Sequence, residues 1–114
     1  MITAKLFFDP LRGNIRLRLR GHAASAPKGE DLICAGVSAL ALTAAQCAAL
    51  LHSRGLLSRP PLVHLKSGDT TVLVTPREDA LSETLLCFWT VQAGLYALQQ
   101  RFPEYVQIAQ VLHV

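Results

Sequence analysis

The chain opens on a period of two. Ile2, Ala4, Leu6 and Phe8 alternate with Thr3, Lys5 and Phe7, which predicts a strand over residues 2–8. Asp9-Pro10-Leu11-Arg12-Gly13-Asn14 supplies turn chemistry. Ile15, Leu17 and Leu19 then alternate with Arg16, Arg18 and Arg20, giving a strand with one apolar and one cationic face. The two strands predict an antiparallel hairpin. Residues 21–30 read as a loop. Asp31 is a good N-cap, and the Ala/Leu-rich stretch after it predicts a helix to about Ser53, ended by Gly55. Arg59-Pro60-Pro61 breaks the chain again. Leu62 to Lys66 and Thr70 to Thr75 flank Ser67-Gly68-Asp69 as a second hairpin, closed by Pro76. Ser82 or Asp79 is the candidate cap of a second helix running to about Arg101. Tyr105 to Leu112 reads as a last strand with weaker alternation.

The order ββαββαβ predicts an α+β fold: one mostly antiparallel sheet with two helices packed on one face. With 114 residues and no linker, repeat or low-complexity tract, the chain reads as a single domain over residues 1–114. The second helix carries Leu81, Leu85, Leu86, Phe88, Trp89, Val91, Leu95, Tyr96 and Leu98, which is more than one apolar stripe. One stripe covers the sheet. The rest calls for a second copy of the chain, or for a helix wedged between the sheet and the first helix.

Composition narrows the class. Apolar residues make up 51% and charged residues 17%, which excludes a disordered tail. The net charge of +3 is compatible with nucleic acid nearby without requiring it. Residues 2–8 do not read as a signal peptide, and the apolar run Ala35–Leu51, with Ser38, Thr43 and Gln46, reads as short and polar for a membrane span. Three widely spaced cysteines, Cys34, Cys47 and Cys87, show no metal-like spacing and do not all pair within one chain. A reduced cytoplasmic protein without metal or cofactor is expected. Cys47 and Cys87, in apolar helical stretches, read as core thiols.

Cys34 is the residue with chemistry to offer. With Asp31 as cap it falls at the third helical position, where backbone N–H groups lack partners and the helix dipole favours a thiolate. The N–H groups of Cys34 and Ala35 are the candidate oxyanion donors. His22 ends the second strand, and the loop after it can return the chain beside the helix start. Imidazolium there would favour the thiolate, and neutral imidazole would take and return a proton. Asp31 is either only a cap or also the group that orients His22. Ser38 lies one turn beyond Cys34 on the same face, as a hydrogen-bonding partner or as a small residue allowing close packing. The small-residue loop Ala23–Gly29 reads as a cover for an extended peptide or as an ordinary surface loop. A cysteine and a histidine twelve apart leave two readings open: a reactive pair, or a structural thiol and a loop histidine. His52, His64 and His113 are scattered and read as surface or strand residues.

The stretch Gly21-His22-Ala23, followed by Gly29-Glu30-Asp31-Leu32-Ile33-Cys34-Ala35-Gly36-Val37-Ser38, resembles the signature of the ribosomal-processing cysteine protease family (Prp, YsxB-like). Chain length and the ββαββαβ order agree with that family as well. The resemblance implies a cytoplasmic, homodimeric cysteine endopeptidase. Its implied substrate is the N-terminal extension of large-subunit ribosomal protein L-twenty-seven. By position it implies Cys34 as nucleophile and His22 as base, with Gly21, Asp31, Ala35 and Ser38 as supporting motif positions. The implied chemistry is acyl transfer through a thioester, with no cofactor and no requirement for nucleic acid.

Two rivals use the same residues differently. A non-catalytic ribosome- or RNA-associated domain would present Arg16, Arg18 and Arg20 to phosphates, or those arginines simply form a solvated face. That strand lacks the aromatics needed to stack bases. A pure interaction module would use its helices to dimerise, and Cys34 would be an ordinary thiol.

Overall fold

The computed structural model describes residues 1–22 and 28–113. The loop expectations placed on Ala23 to Pro27 lie outside the described residues, as do the side chains of residues 28–31. The element order is β1 (Ile2–Asp9), β2 (Asn14–Arg20), α1 (Lys28–Ser53), β3 (Leu62–Lys66), β4 (Asp69–Val74), a short 3₁₀ turn (Glu78–Ala80), α2 (Leu81–Arg101) and β5 (Val106–Gln110). This is the expected ββαββαβ order and the expected α+β class.

The five strands form one mixed sheet in the order β3-β4-β2-β1-β5. Only the β1–β5 pair is parallel; β1–β2, β2–β4 and β3–β4 are antiparallel. The alternation fixes which face is buried. Ala4 lies opposite Leu19, Leu6 opposite Leu17, and Leu17 opposite Val72, and all five are core residues. Onto that face α1 sets Ile33, Val37, Ala41, Ala44, Ala48 and Leu51, a stripe at helical spacing. α2 adds Phe88, Val91 and Leu95. A one-residue register slip would turn this whole apolar set outward, so the pattern pins the pairing.

The helix ends show where local chemistry was outweighed. α1 closes as expected at Gly55, whose φ of 72° suits a residue without Cβ. Gly55 N–H donates to the His52 carbonyl and Leu56 N–H to the Leu51 carbonyl, each at 3.0 Å, the paired bonds of a Schellman motif. Its start departs from expectation: the helix begins at Lys28, so Asp31 lies inside it and is not its cap. Neither expected residue caps α2. Asp79 is held by Arg77, whose Nε and Nη2 donate to its two carboxylate oxygens at 3.2 and 3.1 Å. Ser82 lies within the first turn, and the cap position is Ala80, with no side-chain cap bond.

β5 is an edge strand tied to α2 rather than left open. Gln99 Oε1 accepts from Ile108 N–H at 2.6 Å, and Gln92 Oε1 accepts from Leu112 N–H at 2.7 Å. Its pairing with β1 jumps from Ala4–Ile108 to Lys5–Gln110, leaving Ala109 as an extra residue. That bulge accounts for the weak alternation of the last strand.

By length and composition Leu32–Ser53 is long and apolar enough to cross a membrane, which corrects the reading of this run as too short and polar. In this fold, however, one of its stripes is buried against the sheet.

Candidate active site

A cleft of about 340 Å³ opens where the end of β2, the first half of α1 and the β3–β4 turn meet. That size falls within the range of small ligand sites. Gly21 and His22 line it from just beyond β2, Cys34 and Ser38 from α1, and Lys66 to Thr70 from the hairpin turn. The two residues with candidate chemistry, twelve positions apart in sequence, therefore share one concavity. Gly21 and Ser38, expected as supporting residues, line it as well. Ala35 is exposed and is not among the lining residues.

Backbone geometry delivers His22 there. Gly21 takes a φ of 103°, and a Cβ at this position would overlap the Met1 carbonyl, so only glycine passes this close. Gly21 N–H donates to the Gly68 carbonyl at 3.0 Å, tying the end of β2 to the β3–β4 turn. The Met1 nitrogen donates to the His22 carbonyl at 2.7 Å. The exposed imidazole then lies directly over Gly68, where a side chain would collide with its Nε2 and Cε1 atoms. Gly68 is thus a site residue that sequence reasoning missed. Its turn was legible, but the histidine resting on it follows the end of β2, 46 positions earlier.

Cys34 is half-buried and packs against the core from α1. Because the helix starts at Lys28, Cys34 sits in the second turn rather than at the third position. The N–H groups of Cys34 and Ala35 are then turned toward the carbonyls of Glu30 and Asp31 within the helix. The expectation that these two amides bind an oxyanion is corrected accordingly. Partnerless amides belong to the first turn, at Lys28, Gly29 and Glu30. No hydrogen bond joins the His22 imidazole to the Cys34 thiol; they stand on separate walls of the same cleft.

The other two cysteines are half-buried rather than fully enclosed in the core. They face one another between the helices. Burial, and then the neighbouring Cys47 thiol, push the Cys87 thiol above the ordinary range. His52, His64 and His113 are exposed, as expected, and His64 stands 3.9 Å from Asp69.

A family model described as cysteine protease Prp matches residues 1–107. The chain belongs to the cysteine protease Prp family. It is accordingly a cysteine protease, and the non-catalytic readings of the chain fall away. Among solved structures, it is similar in fold to the essential ribosomal processing protease Prp of S. aureus in complex with a substrate peptide. That match has 20% identity and a TM-score of 0.67, over 97% of this chain and 100% of that one. The same S. aureus protease with a covalently linked product peptide matches at 20% identity and a TM-score of 0.66, over 97% and 100% of the two chains. SMU.848 from Streptococcus mutans matches at 22% identity and a TM-score of 0.68, over 99% of this chain and 96% of that one. No curated protein matches the chain.

Proposed function

We propose that Cys34 is the nucleophile and His22 the general base of a ribosomal-processing endopeptidase. In this reading it removes the N-terminal extension of large-subunit ribosomal protein L-twenty-seven and works in the cytoplasm as a homodimer. The observation that carries the proposal is the shared cleft: the segment just after β2 brings an imidazole, and α1 a thiol, to one concavity of about 340 Å³. The exposed Leu86 and Tyr96 on α2 support the homodimer. The S. aureus relative that carries a covalently linked product peptide supports acyl-enzyme chemistry for the fold.

In the first step the imidazole takes the thiol proton and Sγ attacks the scissile carbonyl carbon. The tetrahedral intermediate collapses to a thioester. The proton goes from imidazolium to the leaving amine, whose C–N bond breaks. In the second step the imidazole takes a proton from water, hydroxide adds to the thioester carbonyl, and the thiolate leaves to recover its proton. The closed half of the active site, where Cys34 packs on the core, limits the attack direction. The exposed half, at His22, admits the water.

The test is cleavage of a peptide spanning the extension, followed by mass spectrometry. Cys34→Ala and Cys34→Ser are expected to abolish the cut with the circular dichroism spectrum unchanged. His22→Ala is expected to lower kcat by about 10²- to 10⁴-fold. Cleavage retained by both Cys34 variants would refute the assignment.

A further inference from the structure

The helices cover one face of the sheet and leave the other open. Along β1 the open face carries Lys5 and Phe7, and along β2 Arg16, Arg18 and Arg20, the positions that alternate with the buried ones. Lys66 joins them through β3, opposite Asp69, which is itself opposite Arg20. Among the described residues of the strands, Asp9 and Asp69 are the acids on this face, and the Asp69 Oδ1 is itself buried without a hydrogen-bond partner. Asp69 lies 3.7 Å from Arg20 and 3.9 Å from His64. Asp9 accepts from its own turn, from Leu11 N–H at 3.0 Å and Arg12 N–H at 3.3 Å. Among the described residues, Lys5, Arg16 and Arg18 have no acidic partner within 4.0 Å.

This arrangement opposes the stability of the sheet. Lys5 sits directly opposite Arg18 across the β1–β2 pair, and like charges so placed repel. The Arg18 Nε is buried without a hydrogen-bond partner. The arrival of an anion on the face relieves the Lys5–Arg18 repulsion.

We infer that the open sheet face of this protease is a docking surface for the phosphate backbone of double-helical RNA. The class of partner follows from what the face offers and what it withholds. It offers a patch of guanidinium and ammonium groups on neighbouring strands spaced about 4.8 Å apart, suited to closely repeated charge. Its aromatic, Phe7, has the Arg16 guanidinium 4.3 Å over its ring, so it is not a free platform for an unstacked base. Shape and phosphate contact, without base readout, are how duplex RNA is bound. The cleft opens beyond the end of β2, between α1 and the β3–β4 turn, and Lys5, Arg16 and Arg18 are not among its lining residues, so docking through them leaves it free to take a peptide.

The test uses a fluorescein-labelled RNA hairpin with a stem of about 16 base pairs, titrated with the full chain over a range of KCl concentrations. Binding is expected with a log–log salt slope of roughly −3. The variant K5A/R16A/R18A should bind at least tenfold more weakly at low salt, with a slope near zero. The charge-conserving K5R/R16K/R18K should keep the wild-type slope. Both variants should cleave the substrate peptide as the wild type does, which separates this inference from the assignment of Cys34 and His22. Absence of binding by the wild type, or an unchanged slope in K5A/R16A/R18A, would overturn it. So would displacement of the RNA by phosphatidylserine vesicles or by polyglutamate at equal charge concentration, which would mark the face as a membrane or acidic-protein surface.

Discussion

At the scale of single residues, two glycines with nearly the same φ differ in what they support. Gly13 has a φ of 67° and nothing near its missing Cβ; Gly68 has a φ of 75° and the His22 ring where its Cβ would be. Alanine in the left-handed region costs about 1–2 kcal/mol at either position. Only at Gly68 does it also displace the imidazole. Gly68→Ala is therefore expected to lower kcat/KM about 100-fold, the scale of a 1 Å misplacement. Gly13→Ala should lose similar stability and keep its activity. The His22 ring resonances in NMR spectra should move in Gly68→Ala alone. Equal activity losses in the two variants would mean that Gly68 matters to the fold and not to His22. The contrast also marks how far the sequence could be read. His22 and Cys34 stood out because their neighbours form a dense local motif, and the structure sets both on one cleft. Gly68 stayed hidden because its role is a contact between distant segments, and a turn glycine looks the same whether it faces solvent or a histidine.

At the scale of elements, the strands were the most legible part. Their two-residue alternation survives in the burial pattern of β1 and β2 almost position by position. Where alternation blurred, in β5, the cause is the extra residue at Ala109. Helix starts were the least legible. Asp31 has the chemistry of a cap, yet α1 continues upstream through Gly29 despite that residue's cost of about 1 kcal/mol in a helix. Cap preferences are worth about as much, so local chemistry alone does not decide between the two starts. The helix–helix contact offers a sharper comparison. A Cβ at Gly36 would meet Leu98 Cδ1 at 3.4 Å, an ordinary contact. One at Gly94 would come within 2.6 Å of Leu40 Cδ2 and 3.1 Å of its Cδ1, so Leu40 has to leave its rotamer. Replacing a helical glycine with alanine gains about 1 kcal/mol from propensity; overpacking costs about 1–3 kcal/mol. Gly36→Ala is thus expected to raise the urea midpoint and Gly94→Ala to leave it unchanged or lower it. A rise in both would show that the Leu40 side chain swings aside freely.

At the scale of the whole molecule, the open sheet face and the outer side of α2 are uncovered surfaces of unlike character. The open sheet face is cationic. The outer side of α2 is apolar: Leu86, Trp89, Ala93 and Tyr96 follow helical spacing, with Leu86 62% and Tyr96 52% exposed. Trp89, Ala93 and Tyr96, with Ile108 and Val111 of the last segment, bound a groove of about 310 Å³. The surplus apolar stripe seen in the sequence is therefore real in space, and α2 is not wedged between the sheet and α1. A two-fold dimer would bring this stripe against itself, since an isologous contact needs one self-complementary patch. The expected mass from light scattering at micromolar concentration is twice 12.4 kDa. Leu86→Glu/Tyr96→Glu places charges at the centre of that contact and should give a monomer with an unchanged far-ultraviolet spectrum. The cationic variant K5A/R16A/R18A, altered on the opposite side of the sheet, should remain dimeric. A wild-type protein that stays at 12.4 kDa, or a double variant that still dimerises, would mean that α2 does not carry the contact. In the dimeric outcome, the cleavage rate of the monomeric variant then shows whether each cleft is complete within one chain. An unchanged rate per chain means that it is, and a loss means that the partner's surface contributes to holding the peptide.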